Sequence, residues 1–388
     1  DRWKTYGSDL PELKPAYLEE DYTQLKNRLV YFETSRGCPY LCSFCLSALD
    51  KTVRYFNEEI VYSQIKSLIN SGIKKIKFVD RTFNLKPKRM KSLMSWLSQF
   101  EGSEFHFEVV GDILTPDLLD FLKTVPPGMF QFEIGIQTTD ESVQKNIQRK
   151  QDNKQLFDTI KKIIAEDRIH FHCDLIFGLP GENKEKILNS FKEVLSLRPH
   201  ELQLGFLKFL PGAPIKNNIQ SHGYEYQSTP PYELISNKDL SAYEVDYLKK
   251  FTDIFNRFYN SKRFQFSINH LLKKMDSVAL FDRLLAYHES NNLFMNPVAL
   301  DHQYKIFKDT FFPNPSHSEK DLLKLDYLYS QKTYRLPAFL SEKSNFYRKT
   351  WEEDRKTPII SFKHKIEISG NQAHLKLMEH PVYYAISH

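Results

Sequence analysis

Cysteine and long apolar runs are both scarce in this chain. It has 4 cysteines in 388 residues, too few for a disulfide scaffold and in keeping with a reducing compartment. No run of about 18 apolar residues occurs, which excludes a transmembrane helix. The first residue is Asp1 and no charged-then-apolar leader follows it, so no signal peptide is expected. We therefore expect a cytoplasmic protein that makes no use of a membrane.

An excess of charge of one sign is also lacking. The 54 basic and 49 acidic residues leave a net charge of +5, which is too balanced to indicate nucleic-acid binding by itself. Basic clusters such as Lys86–Arg89 are best explained as solvated surface, and RNA contact is the less favoured alternative. We therefore do not expect a nucleic acid as a partner.

Glycine is scarce and unevenly distributed. Of 13 glycines, 12 lie at or before Gly223, and beyond it the chain is rich in Lys, Leu, Phe and Tyr. This shift predicts a domain boundary between Pro211 and Asp239. Three segments are predicted: a linker from a missing N-terminal domain at 1–25, a first domain at 26–225, and a mainly helical C-terminal extension at 226–388.

The C-terminal extension has its own periodic patterns. One predicted apolar helix stripe contains Tyr243, Val245, Leu248 and Phe251, and another contains four leucines between 322 and 328. A short pair of strands is expected around Gly370 and Asn371 at the end of the chain. We expect this extension to cap the open side of the first domain.

Strand and helix signals alternate six times within the first domain. The first strand is predicted at Leu29–Thr34 and the sixth at Glu201–Phe209. This alternation predicts right-handed crossovers and a parallel sheet. Six units are fewer than the eight of a complete barrel, so the fold class is α/β, either a partial (β/α)6 barrel or an open sheet.

Three of these strands carry polar residues on one face. Buried parallel strands usually read as continuous apolar runs, and alternate residues of a strand share a face. The pattern predicts a polar interior near the C-terminal ends of the strands, where sites in such folds lie. Satisfied core polar groups or an exposed edge are the alternatives. The residues are His106 and Glu108, then Glu133, Gly135 and Gln137, then His170, His172 and Asp174.

Three cysteines stand close together on the loop that follows the first strand. Cys38, Cys42 and Cys45 are expected to converge on one metal centre. Structural zinc requires four ligands, and no fourth cysteine or suitably spaced histidine is nearby. Iron–sulfur clusters usually use four thiolates, so three would leave one iron open to a substrate or cofactor. Structural zinc and unligated core thiols are the less favoured alternatives.

This CxxxCxxC spacing, with Phe44 before the last cysteine, resembles the signature of the radical SAM superfamily. The resemblance covers roughly Tyr31 to Gly212. It implies a partial (β/α)6 barrel with a [4Fe–4S] cluster after strand one, and S-adenosylmethionine bound to the open iron. It also implies reductive cleavage of S-adenosylmethionine to a 5′-deoxyadenosyl radical. An electron donor such as a flavodoxin or ferredoxin is then expected, together with a substrate that the sequence does not name.

The resemblance to coproporphyrinogen-oxidase-like members implies which residues lie near the cofactor. Gln137 and Asp174 would bind the ribose, and Arg149 would meet the methionine carboxylate. An ordinary helix-surface cation is the alternative for Arg149. Many members carry Gly-Gly-Glu at the end of strand two, where this chain has Asp80 instead. The predicted cofactor-binding set is Tyr40, Phe44, Asp80, Glu108, Gln137, Arg149 and Asp174.

Two segments resemble the cobalamin-associated members of this superfamily. Ser8–Tyr17 is similar to the linker that follows a cobalamin-binding domain, and Phe78–Asn84 is similar to their strand-two ending. The C-terminal part resembles a helical extension of unknown function behind some of those barrels. Cobalamin is thus a candidate third cofactor, and methyl transfer to an unactivated carbon a candidate reaction. An ordinary proline-containing linker at 1–25 is the alternative.

Two other functions stay open at this point. One is a cobalamin-independent radical SAM oxidoreductase or mutase, and the other is a zinc-stabilised RNA-binding module without redox chemistry. Cys173 alternates with Asp174, so it is predicted to point to the helical layer as a structural thiol. An auxiliary cluster would need more cysteines than remain, which disfavours methylthiotransferase and peptide-maturase functions.

Overall fold

The computed structural model describes residues 16–331, 336–341, 359–369 and 372–385. The described residues form two compact units, which divide after Val245. No helix in the described part of the chain is both long and apolar enough to cross a membrane.

The first unit is built on six parallel strands, each hydrogen-bonded to the next along the chain. This open, sequential order confirms the predicted α/β fold of six strand–helix units. The strands are β1 (Leu29–Phe32), β2 (Lys75–Phe78), β3 (Glu104–Glu108), β4 (Phe130–Gln137), β5 (Ile169–Phe177) and β6 (Glu201–Phe206).

Helices connect these strands, and polar residues begin most of them. Asn57 Oδ1 accepts hydrogen bonds from the amides of Glu59 and Ile60, which starts the helix after β1. Asp152 and Asn183 begin later helices in the same way. The helices are α1 (Glu58–Asn70), α2 (Pro87–Leu97), α3 (Pro116–Leu122), α4 (Glu141–Asn146), α5 (Asn153–Glu166) and α6 (Lys184–Ser196).

The sheet has an apolar outer face and a polar inner face. Alternate residues of β4 are fully buried against the helices, whereas those between them are only partly buried. Phe107 stacks on Phe78 with 4.6 Å between ring centroids, so aromatic packing fills the space between sheet and helices. Cys173 on β5 is completely buried on this side. The partly buried polar groups therefore share the opposite side, as the alternation predicted.

The chain after β6 stays with the first unit beyond residue 225. Two short antiparallel strands, β7 (Glu225–Tyr226) and β8 (Leu234–Ser236), pair with each other. Tyr224 donates its hydroxyl hydrogen to Gly178 O at 3.1 Å, and Leu234 N donates to Leu207 O at 2.9 Å. The first contact fixes the turn that follows β5, and the second fixes the segment that follows β6.

The second unit is mainly helical, as predicted. Its core contains packed aromatic rings, such as Phe255 with Phe281 at 5.0 Å and Phe264 with Phe307 at 4.8 Å. The main helices are α7 (Ala242–Phe255), within which the division falls, α8 (Gln265–Leu271), α9 (Ser277–Ser290), α10 (Leu300–Phe311) and α11 (His317–Gln331).

The prediction that Tyr243 belongs to the apolar stripe of α7 is wrong. Val245, Leu248 and Phe251 are buried, but Tyr243 is 83% exposed. Because each helical residue turns by about 100°, Tyr243 lies roughly 200° from Val245 and faces the other side.

The predicted terminal strand pair is present. Strands β9 (Ile359–Ser369) and β10 (Gln372–Ala385) pair in antiparallel register. The predicted turn at Gly370 and Asn371 lies outside the described residues, as does most of the predicted linker at 1–25. Asp321 on α11 accepts hydrogen bonds from the amides of Lys363 and His364 at 2.8 and 3.1 Å, which ties β9 to that helix.

Candidate functional site

The loop that carries the three cysteines has a fixed path. Cys38 N donates to Asp50 O, and Ser43 N donates to Ile147 O, both at 2.9 Å. Gly37 has φ +98°, and a Cβ there would lie 2.3 Å from Thr52 O. Only glycine fits this position, so backbone sterics place the first cysteine.

The three thiols line one cavity of about 250 Å³. Cys38 and Cys42 are buried and Cys45 is partly exposed. Among the described residues, no three His, Cys, Asp or Glu side chains are grouped closely enough to hold a single metal ion. Zinc needs its ligands converged on one ion, whereas an iron–sulfur cluster spreads its thiolates over several irons.

Neighbouring polar groups contact the cysteine sulfurs. Thr82 Oγ1 lies 3.6 Å from Cys38 Sγ, and Ser47 N donates to Cys45 Sγ at 3.4 Å. Arg149 Nη1 donates to Cys42 Sγ at 3.7 Å. Burial raises the pKa of the Cys42 thiol, while Arg149 acts to lower it. Each sulfur thus has one polar neighbour within contact distance.

Two carboxylates on the inner face of the sheet, Glu133 and Asp174, form ion pairs with neighbouring side chains. Lys77 Nζ donates to Glu133 Oε2 at 2.7 Å, and His106 Nε2 lies 2.9 Å from the same oxygen. Burial alone would raise the pKa of Glu133, but His106 and Lys77 together lower it well below its usual range. One strand further, His172 Nε2 lies 2.8 Å from Asp174 Oδ1.

In the His172–Asp174 pair, the pKa of the carboxyl group is raised, whereas that of Glu133 is lowered. Burial raises the pKa of Asp174, and His172 offsets this only in part. Burial would lower the pKa of His172, but Asp174 raises it above its usual value. The inner face therefore holds one firmly ionised carboxylate, Glu133, and one carboxylate that retains a proton more readily, Asp174.

Gln137 presents an unsatisfied acceptor to this cavity. It ends β4 with φ +68°, and its buried Oε1 has no hydrogen-bond partner among the described residues. A Cβ at Gly135 would lie 2.2 Å from Gln137 Nε2, so the missing side chain leaves room for the amide. A buried acceptor without a partner is costly unless a ligand supplies a donor. The ribose of S-adenosylmethionine would supply such a hydroxyl, so these residues fit that cofactor.

Nine of the ten predicted site residues line the cavity. They are Cys38, Tyr40, Cys42, Phe44, Cys45, Glu108, Gln137, Arg149 and Asp174.

Asp80 is the predicted site residue that lies elsewhere. It is 1% exposed, and its carboxylate accepts hydrogen bonds from Thr34 N at 2.9 Å and Thr34 Oγ1 at 2.7 Å. Ser35 Oγ donates to the same carboxylate. Asp80 therefore fixes the chain between β1 and the cysteine loop, and it supports the cavity from outside.

The cavity also has lining residues that were not predicted as site residues. The alternation of β4 predicted that Glu133 shares the polar face with Gly135 and Gln137, although Glu133 was not assigned a role at the site. Arg81 Nη1 lies 3.8 Å from Glu108 Oε2, and burial raises the pKa of Glu108 while Arg81 lowers it. Arg81 lies on a loop, where no periodic pattern could have indicated it. The polar and charged members of this additional set include Arg81, Thr82, Glu133 and Lys150.

Two family models match different parts of the chain. Residues 32–194 match the radical SAM superfamily. Residues 220–379 match a family described as a protein of unknown function (DUF4080).

Curated proteins are similar to the first part of the chain. The cobalamin-dependent radical SAM methyltransferase TokK of Streptomyces tokunonensis is 25% identical over 217 residues, which cover 51% of this chain and 30% of the relative. The ribosomal protein uS12 methylthiotransferase RimO of Clostridium novyi is 26% identical over 175 residues, or 42% and 39% of the two chains. The chain thus spans less than half the length of these relatives.

A solved structure of the radical S-adenosylmethionine methyltransferase TsrM from Kitasatospora setae is also similar. It has a TM-score of 0.48 and 15% identity, and the match covers 57% of this chain and 46% of that one. The family match at 32–194 agrees with the cysteine spacing that predicted it. Residues 32–194 therefore match the radical SAM superfamily, whose members bind a [4Fe–4S] cluster and S-adenosylmethionine.

Proposed function

We propose that this chain is a radical SAM enzyme in which Cys38, Cys42 and Cys45 each bind one iron of a [4Fe–4S] cluster. The observation that carries the proposal is that these thiols share one cavity with Gln137 and Arg149. That cavity opens at the C-terminal ends of the strands, where such folds hold their sites. When bound, the cluster and S-adenosylmethionine supply reductive cleavage of the sulfonium to a 5′-deoxyadenosyl radical.

The surrounding side chains bind and orient the nucleoside and amino-acid parts of S-adenosylmethionine. Gln137 accepts a hydrogen bond from a ribose hydroxyl through its free Oε1, and Asp174 accepts another. Arg149 has five N–H donors, of which one each contacts Cys42, Gly135 and Gln151. The remaining donors suit the methionine carboxylate. Tyr40 and Phe44 line the cavity and exclude water from a reactive centre.

The finer proposal is methyl transfer assisted by cobalamin. It is supported by the similarity to TokK, whose name states that it is a cobalamin-dependent methyltransferase. Within the given residues, an auxiliary cluster for methylthio transfer, which the name of RimO states, has one further cysteine available. Cys173 is the single cysteine outside the motif, and it is fully buried on the outer face of the sheet. A small redox protein such as a flavodoxin or ferredoxin is proposed as the electron donor.

The test is an anaerobic turnover assay on the full chain after cluster reconstitution. Wild type is incubated with S-adenosylmethionine and reductant, with and without cobalamin, and 5′-deoxyadenosine and S-adenosylhomocysteine are quantified by mass spectrometry. Both products, with the second one dependent on cobalamin, support the methyltransferase. 5′-Deoxyadenosine alone supports a cobalamin-independent oxidoreductase or mutase. A fully loaded cluster that yields neither product contradicts the enzyme proposal.

A further inference from the structure

The guanidinium of Arg149 is held by a chain of side-chain amides. Arg149 Nε donates to Gln151 Oε1 at 2.9 Å, and Gln151 Nε2 donates to Asn153 Oδ1 at 2.9 Å. Asn153 Nδ2 in turn donates to Thr139 O at 2.7 Å. This series of hydrogen bonds therefore ends on the backbone carbonyl of Thr139, just after β4.

The orientation of each amide follows from the partners of its neighbours. Thr139 O can only accept, so Asn153 must turn its nitrogen there and its oxygen towards Gln151. Gln144 Nε2 donates to the same Asn153 oxygen at 2.8 Å and to Thr138 O at 3.0 Å. Gln151 must then direct its own oxygen at Arg149. A leucine at position 151 would remove this acceptor with little change in volume.

Arg149 is thereby held against a cysteine of the motif. Its Nη1 donates to Cys42 Sγ at 3.7 Å, and its Nη2 donates to Gly135 O. Hydrogen bonds and positive charge at a cluster sulfur stabilise the reduced, more negative state of the cluster, and so raise its reduction potential. The Gly135 carbonyl contacts one end of the planar guanidinium and the Gln151 oxygen contacts Nε, so the two acceptors together set the plane of the group.

We propose that Gln151 is a positioning residue that raises the reduction potential of the cluster by holding Arg149 against Cys42. The inference rests on the proposed function, since it requires the cluster at Cys38, Cys42 and Cys45. It goes beyond that function because Gln151 is not among the residues that line the cavity.

The test measures the midpoint potential of the cluster by an EPR-monitored redox titration of the reconstituted full chain. Gln151→Leu is expected to lower the midpoint potential while iron and sulfide content stay at the wild-type level. Arg149→Gln should lower it further, because it removes the charge as well as the hydrogen bond. Arg149→Lys should lie between these two, since it keeps the charge and loses the planar fork. The matched control, Gln155→Leu on the exposed side of α5, should leave the potential unchanged.

A Gln151→Leu protein with a full cluster and the wild-type potential would overturn the inference and leave the proposed function intact. If that variant does not retain its cluster, Asn153→Leu is the variant to titrate. It removes the acceptor of Gln151 Nε2 and so loosens Gln151 without changing Gln151 itself. A smaller shift in the same direction supports the inference, and no shift overturns it. A wild-type chain that assembles no cluster would instead overturn the proposed function itself.

Discussion

The two faces of the six-stranded sheet differ in nearly every respect although they are built from alternate residues of the same strands. On the outer face, Phe132 and Phe171 are completely buried against helices. On the inner face, the neighbouring residues Glu133 and His172 form ion pairs around the cavity. One peptide unit therefore separates a residue that stabilises the fold from one that lies at the site. Substitutions on the two faces should consequently affect different measurements.

The outer face should dominate stability. Phe132→Ala removes a fully buried ring from β4 and leaves a cavity, so we expect the free energy of unfolding to fall by about 3–5 kcal/mol. Urea denaturation followed by circular dichroism measures this change. Phe132→Leu is the matched control, with an expected loss below about 1.5 kcal/mol. Equal losses for the two variants would show that Phe132 is not packed as described.

The inner face should make stability depend on pH through His172. Its folded pKa is raised by Asp174, so its stabilising contribution is complete below the unfolded value of about 6.5. That contribution disappears as the pH rises through the raised value. Glu133 and Glu201 also raise this pKa, whereas burial opposes them.

His172→Gln should therefore destabilise the protein most at low pH, by about 1.5 kcal/mol, as expected for a hydrogen bond to a charged group. Thermal unfolding of both proteins between pH 5 and pH 9 would reveal the trend. A difference that grows with pH would contradict the pairing of His172 with Asp174.

Gln137 should affect ligand binding and leave the fold almost unchanged. Its Oε1 has no partner among the described residues, so Gln137→Ala breaks no hydrogen bond of that atom. We expect the stability to change by less than about 0.5 kcal/mol. The affinity of the reconstituted protein for S-adenosylmethionine should fall about tenfold, which corresponds to one hydrogen bond. Isothermal titration calorimetry measures it, and an unchanged affinity would remove Gln137 from the cofactor site.

A modest loss of stability and no loss of iron are expected at Cys173, the cysteine of the outer face. Cys173→Ala removes one buried sulfur from β5, so a loss of about 1 kcal/mol in unfolding free energy is expected. Iron content after reconstitution should equal that of wild type. A loss of iron would mean that this thiol takes part in metal binding and that the two faces are not chemically separate.

Local signals in the sequence predicted much of this architecture. The predicted alternation of strands and helices is present because strand alternation and helix caps are properties of neighbouring residues. The same alternation predicted the polar inner face. Asp80 could not be placed in this way, because its partner Thr34 lies 46 residues earlier. The positions of Arg81 and of the hydrogen-bonded amides around Gln151 likewise depend on contacts between loops, which the sequence pattern does not indicate.

The central claim is that the three motif cysteines hold a redox-active [4Fe–4S] cluster that cleaves S-adenosylmethionine. The most direct measurement compares cluster EPR signals and 5′-deoxyadenosine formation in single alanine variants of Cys38, Cys42 and Cys45, with Cys173→Ala as the control. We predict that each motif variant loses both the [4Fe–4S] signal and the cleavage product, while the control retains both. Full signal and product in any motif variant, or zinc without sulfide in wild type, would contradict the account.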